Sequence, residues 1–253
     1  MVCVVAACGR FGFANHDDAA VTTGDVLAGT DIAADTVGFD APFVCTQLFC
    51  DNFDAGIDAS WTIDISGGST APATTPVHGG AHSVALVTDA ITSSITNPRA
   101  TLERFSPLPV AGAVVYARAW LYLKSPFDTT ATYAQLINFA DSSNGGISVG
   151  ARHGKITLND YPSGPYMESA TVDLPLDRWF CLEIEMPSGS TTTARAFLDG
   201  AEVTDVALAQ TSAQTAPDHI YIGFMWVNTI TSQPQELGWL DDVVIDTSPI
   251  PCN

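Results

Sequence analysis

From Cys45 onward the sequence is punctuated. Short runs that alternate apolar and polar residues are separated by clusters of Gly, Pro, Asp and Ser, and no run carries a helical stripe. That rhythm points to a sandwich or barrel of antiparallel strands and away from βαβ units, which need helices between the strands. The clearest strand is Tyr116 to Leu123. Ala117, Ala119, Leu121 and Leu123 point one way and form a core face, while Tyr116, Arg118, Trp120 and Tyr122 point the other. Phe180, Leu182, Ile184 and Met186 likewise oppose Trp179, Cys181, Glu183 and Glu185. Ile147, Val149 and Ala151 oppose Ser148, Gly150 and Arg152, and Ile220, Ile222 and Phe224 oppose Tyr221, Gly223 and Met225. Asp199-Gly200 is a hairpin turn signal, because both central positions of such a turn need positive φ. The last strand runs from Leu240 to Ile245 and is stopped by Ser248-Pro249 and Pro251.

A chain of 253 residues, 46% hydrophobic and only 15% charged, can bury one sizeable core. Its charge is one-sided: 28 acidic against 9 basic side chains give a net charge of −19. Such a field repels phosphate backbones and anionic headgroups, so nucleic acid and direct membrane binding are excluded as expectations. No apolar run is long enough to span a bilayer.

Residues 1–8 end in Val5-Ala6-Ala7-Cys8, which resembles the lipobox of bacterial lipoproteins, although the positive n-region and the longer apolar run of a complete signal are missing. The segment is read as a truncated signal, with Cys8 the candidate lipidation site and the only route to a membrane. Residues 9–44 hold six Asp against one Arg and no sustained apolar period, the composition of a solvated acidic tether. The domain is assigned to residues 45–253. Its four cysteines, Cys45, Cys50, Cys181 and Cys252, lack zinc-ligand spacing and are expected to form two disulfides in an exported protein, extracellular or at the cell surface.

Three stretches carry a family resemblance. Asp177-Arg178-Trp179-Phe180-Cys181-Leu182-Glu183 followed by Phe197-Leu198-Asp199-Gly200 resembles the laminin G-like pattern. Gly238-Trp239-Leu240-Asp241-Asp242-Val243-Val244-Ile245 is similar to the closing strand of that superfamily, and Leu48-Phe49-Cys50-Asp51-Asn52-Phe53-Asp54 with Trp61 to its opening strand. The chain is thus similar to the concanavalin A-like lectin/glucanase superfamily. The resemblance implies an all-β, two-sheet antiparallel jelly roll, with first and last strands paired and a concave sheet open to ligands. It selects no function, since lectins, glucanases, lyases and adhesion modules share the fold.

Catalytic patterns of the superfamily are incomplete here. Glu183 and Glu185 would begin the acid triplet of laminarinase-type glycosidases, but Pro187 stands at the third position, and the pair reads as a solvated strand face. Arg99 to Arg104 with Gln135-Leu136-Ile137-Asn138 resembles the alginate-lyase branch, yet Ile137 replaces the histidine base. Lyase chemistry would then need His153 or Tyr161, and Arg99, Glu103 and Arg104 otherwise read as surface ion pairs. His78 and His82 flank Gly79-Gly80 and read as loop residues.

The expected activity is therefore non-catalytic carbohydrate binding, with a polysaccharide or glycoconjugate as partner. The alternatives are a lyase or hydrolase of uronate-containing glycans and a laminin G-like protein-binding module. The candidate ligand face is Tyr116, Arg118, Trp120 and Tyr122, because aromatic rings stack on sugars and Arg forks onto hydroxyls or carboxylates. Gln135 and Arg152 complete that set. Related folds hold a structural Ca²⁺ between first and last strands, which makes Asp51, Asp54, Asp241 and Asp242 candidate ligands. The implied pairing of those strands places Cys45 beside Cys252. Cys50 and Cys181, both facing outward, then form the second bond, and the competing pairing is Cys45–Cys50 with Cys181–Cys252.

Overall fold

The computed structural model describes residues 45–252, apart from 92–96, 109, 111, 130–132, 143–144, 162–163, 189–191, 211–214 and 228–232. Residues 1–44, and with them the lipobox-like segment, Cys8 and the acidic tether, lie outside the described residues.

Alternation in the sequence becomes strand almost everywhere it was read. In chain order the strands are β1 (Phe49–Asp51), β2 (Thr62–Ser66), β3 (Gly68–Ala73), β4 (Ser83–Thr88), β5 (Arg99–Arg104) and β6 (Val114–Leu123). There follow β7 (Tyr133–Ala140), β8 (Gly146–Arg152), β9 (Lys155–Tyr161), β10 (Tyr166–Asp173) and β11 (Trp179–Pro187). The last are β12 (Thr193–Leu198), β13 (Ala201–Glu202), β14 (Leu208–Ala209), β15 (His219–Val227) and β16 (Glu236–Asp246). Asp199 and Gly200 turn the chain between β12 and β13 at φ 50° and 80°, as the turn signal requires. Pro187, with no amide proton to give, ends β11.

The strands form two antiparallel sheets. The first has the order β13-β12-β11-β6-β16-β4-β3, with β1 also on β16 and β14 on β12; the second has the order β10-β9-β8-β7-β15-β5-β2. First and last strands pair, Phe49 opposite Ile245. The core lies between the sheets. Ala117, Leu121, Phe180, Leu182 and Ile184 of the first meet Ile137, Phe139, Val149, Ile222 and Phe224 of the second, all fully buried. Burying each large side chain is worth about 1.5–3 kcal/mol, so this interface dominates stability. Asp241 and Asp242 sit at a bulge in the β16–β6 pairing, with Asp242 at φ 46°.

The disulfides correct the expected pairing. Cys45 bonds Cys50 and Cys181 bonds Cys252. Cys50 and Cys181 stand on β1 and β11, but β16 and β6 lie between those strands. Three strand spacings are about 14 Å, against the roughly 7 Å limit between bonded cysteine Cα atoms. Nor does Cys252 stop beside Cys45. After β16 the chain folds back over β6 and β11, where Arg118 Nη1 donates to Pro251 O at 2.6 Å and Ile250 N donates to Glu183 Oε1 at 3.2 Å. That strap carries Cys252 to Cys181.

Candidate functional site

The strap and a loop change the meaning of the outer face of the first sheet. Arg118 is buried, its guanidinium donating to Pro251 O and to Asp242 O at 3.2 Å. The His78 ring stacks on Trp120 with 3.7 Å between centroids and pairs with Asp242 Oδ2 at 2.6 Å. Glu183 and Glu185 are buried too, so they are not the solvated face that the sequence suggested. Glu185 pairs with Arg195 at 2.8 Å, and burial pushes the Glu183 carboxyl up to about 7. Along β6, then, Arg118 is buried and Trp120 lies under the His78 ring, while Tyr116 stays partly exposed. The four residues therefore do not form one open face: Arg118 is buried, whereas Tyr116, Trp120 and Tyr122 are each partly exposed.

The expected cation set does not converge either. Asp51 accepts Phe53 N at 2.8 Å and Trp61 Nε1 at 2.7 Å. Asp54 accepts Asn52 Nδ2 at 2.9 Å and the Ala81 amide, and Asp241 accepts His78 N at 3.0 Å and Asp242 N at 2.9 Å. With Asp242 on His78, these acids serve to hold the 78–82 loop and the first strand. Among the described residues no group of three or more His, Cys, Asp or Glu could hold a metal ion. Each of the four aspartates is thus engaged with protein donors.

An open groove of about 420 Å³ lies across the outer face of the second sheet. Asp64, Arg99, Gln135, Asn138, Tyr161 and Tyr221 line it, with Met225 at one end. Its form depends on two bulges. The pairing of β7 with β8 slips between Gln135 and Ile137, and that of β15 with β7 slips between Ile222 and Met225. The first slip drops Ile137 into the core and brings Asn138 to the groove beside Gln135, its Nδ2 3.4 Å from Gln135 Oε1. Gly150 permits it, because a Cβ there would stand 1.9 Å from Ala134 O.

Gln135, Arg99 and Tyr221 are held by neighbouring side chains. Gln135 Nε2 donates to Ser148 Oγ at 3.3 Å, and Tyr133 OH donates to Ser148 O at 3.2 Å. Arg99 Nε pairs with Asp64 Oδ2 at 2.7 Å. Burial first, then its hydrogen bond to Glu103, pushes the Tyr221 phenol up to about 12, so it remains a neutral donor. Tyr161 is the exposed ring of the groove, at 42% exposure.

Of the sequence-derived ligand residues, Gln135 is in the groove. Arg152 lies at the end of β8, over the Tyr166 ring at 5.2 Å and outside the lining. His153 pairs with Glu168 at 2.9 Å, also outside it. Arg104 stacks 3.6 Å from the Phe49 ring centroid and is not a surface ion pair. Sequence reasoning missed Asn138, Asp64 and Tyr221. Tyr221 could have been found from its alternation with Ile220 and Ile222, whereas Asn138 depends on a bulge that no residue pattern announces.

No protein-family model and no curated protein matches the chain. Among solved structures it is similar to the cellulose-induced protein Cip1, at TM-score 0.63 and 18% identity over 81% of this chain and 100% of that one. It is also similar to an endo-β-1,4-glucuronan lyase from the fungus Trichoderma reesei, at TM-score 0.59 and 13% identity over 80% and 96% of the two chains. A third is domain 4 of an extracellular arabinanase from Geobacillus stearothermophilus in complex with arabinotriose, at TM-score 0.50 and 17% identity over 79% and 91%. At these identities the likeness is one of fold, and it agrees with the strand order described above: the chain has a two-sheet antiparallel jelly-roll fold.

Proposed function

We propose that this is an exported, non-catalytic carbohydrate-binding domain that holds a neutral glycan in the groove of the second sheet. The observation that carries the reading is the groove's chemistry. Fixed amides (Gln135, Asn138) and phenols (Tyr161, Tyr221) suit sugar hydroxyls and ring faces, while the cation Arg99 is already balanced by Asp64. A uronate polymer would bring one negative charge per sugar to a chain of net charge −19, with no unmatched cation among the described lining residues to receive it. The neighbours support a carbohydrate partner, one being a glucuronan lyase and one holding bound arabinotriose. The two disulfides support export to an oxidising compartment.

Lyase action is the second reading, favoured by the exposed phenol of Tyr161 beside Gln135 and Asn138. Ile137 in the core and His153 on Glu168 leave it without a histidine base in the described lining. Titration calorimetry with neutral and uronate oligosaccharides tests both readings. Binding of a neutral oligomer should weaken about 10-fold or more in Gln135→Ala and Tyr161→Ala, the size expected from losing one well-made contact. Formation of unsaturated uronates, lost in Tyr161→Phe, would overturn the non-catalytic reading.

A further inference from the structure

The outer face of the first sheet has an uncovered end. Register places Trp179 opposite Tyr122, Tyr122 opposite Trp239, Trp239 opposite Ala85, and Ala85 opposite Ala71. These five residues, one from each of β11, β6, β16, β4 and β3, form a single row across the sheet. None is buried. The row is about 19 Å long at the usual strand spacing, and its two indoles stand roughly 10 Å apart, about the advance of a disaccharide unit. Tyr122 fixes them by edge contacts, at 5.8 Å to Trp179 and 5.5 Å to Trp239. Beyond Trp239 the row continues in alanines, which leave room for a flat chain to lie against the sheet.

The surroundings choose the occupant. On one side the 78–82 loop closes the face, with His78 5.8 Å from Trp179. On the other, the Lys124 ammonium is matched by Asp177 at 2.8 Å. A neutral shelf on a chain of net charge −19 complements an uncharged partner, and indoles stack on the apolar faces of pyranose rings.

We infer that the Trp179–Tyr122–Trp239–Ala85–Ala71 row is a second glycan-binding surface, one that takes an extended neutral polysaccharide running across the strands on the sheet opposite the groove. It does not depend on the groove, which holds its ligand on the other sheet.

Retention of the full chain on insoluble cellulose, mannan and xylan tests it. The parent should be retained on at least one of them. Trp179→Ala/Trp239→Ala should lower the retained fraction about 10-fold or more, and Trp179→Phe/Trp239→Phe should restore part of it. Ala71→Glu, at an exposed edge position that cannot disturb the core, should weaken retention by setting a charge on the shelf. The shelf variants should keep the soluble-oligosaccharide binding that Gln135→Ala in the groove loses, so failure of one surface is separable from failure of the other. The inference is overturned if the parent is retained on none of the three, or if the shelf variants bind as the parent does. It is also overturned if the parent is a dimer in light scattering that Ala71→Glu dissociates, since a second copy would then cover the row.

Discussion

Replacing Cys181 and Cys252 together by alanine opens the bond that holds the C-terminal strap. The bond joins residues 71 apart in sequence, whereas Cys45–Cys50 joins residues 5 apart. In the loop-entropy account, a closed loop of that larger size removes about 15 cal/mol/K from the unfolded chain, or about 4.4 kcal/mol at 25 °C; the small loop gives about 2 kcal/mol. For about 200 folded residues the entropy of unfolding is about 0.42 kcal/mol/K, so the larger loss lowers Tm by about 10 °C. The true fall should be no smaller, because the freed strap also gives up the Arg118–Pro251 and Ile250–Glu183 hydrogen bonds over buried polar groups. Calorimetry of this variant beside Cys45→Ala/Cys50→Ala, at one pH and one scan rate, reads the difference directly. An equal or larger fall for the Cys45/Cys50 variant would refute the reasoning. So would a Cys50–Cys181 peptide in non-reducing mapping, which would place the strap elsewhere.

Three buried carboxyls, Glu183, Glu236 and Asp241, are each pushed up to about 7, chiefly by burial. Unfolding returns each to its ordinary value near 4, so between about pH 4 and 7 the folded state holds protons that the unfolded state has lost. Stability should therefore fall through that window as pH rises and level off above it. Glu236→Gln keeps the shape and the acceptor for Asp128 N while removing one titration. It should gain up to about 3 kcal/mol over the parent at pH 8 and nothing at pH 4, as read by urea melts; a gain that does not change with pH would sink this account. Gly150→Ala should lower Tm by several degrees and weaken oligosaccharide binding, since a Cβ 1.9 Å from Ala134 O must push β7 and β8 apart where Gln135 is held. Unchanged melting and binding would show that the close approach is dispensable.

Period-two alternation in the sequence was enough to determine that this is an all-β chain and which side chains face the core. Phe180, Leu182 and Ile184, or Ile220, Ile222 and Phe224, can be buried together only if their neighbours all point the other way. The turn at Asp199-Gly200 and the end of β11 at Pro187 were equally local, fixed by φ preference and by a missing amide proton. What the outward faces do was decided by tertiary structure. Cys181 and Arg118 do point away from the core, but a strap from the far end of the chain folds over them, and only strand order shows that Cys50 is three strands from Cys181. The groove needed more still. Asn138 and Gln135 would sit on opposite faces of a regular strand, and they share one because the pairing with β8 slips by a residue. Such a slip is set by how two strands close on each other around Gly150, a contact between residues that the sequence keeps apart.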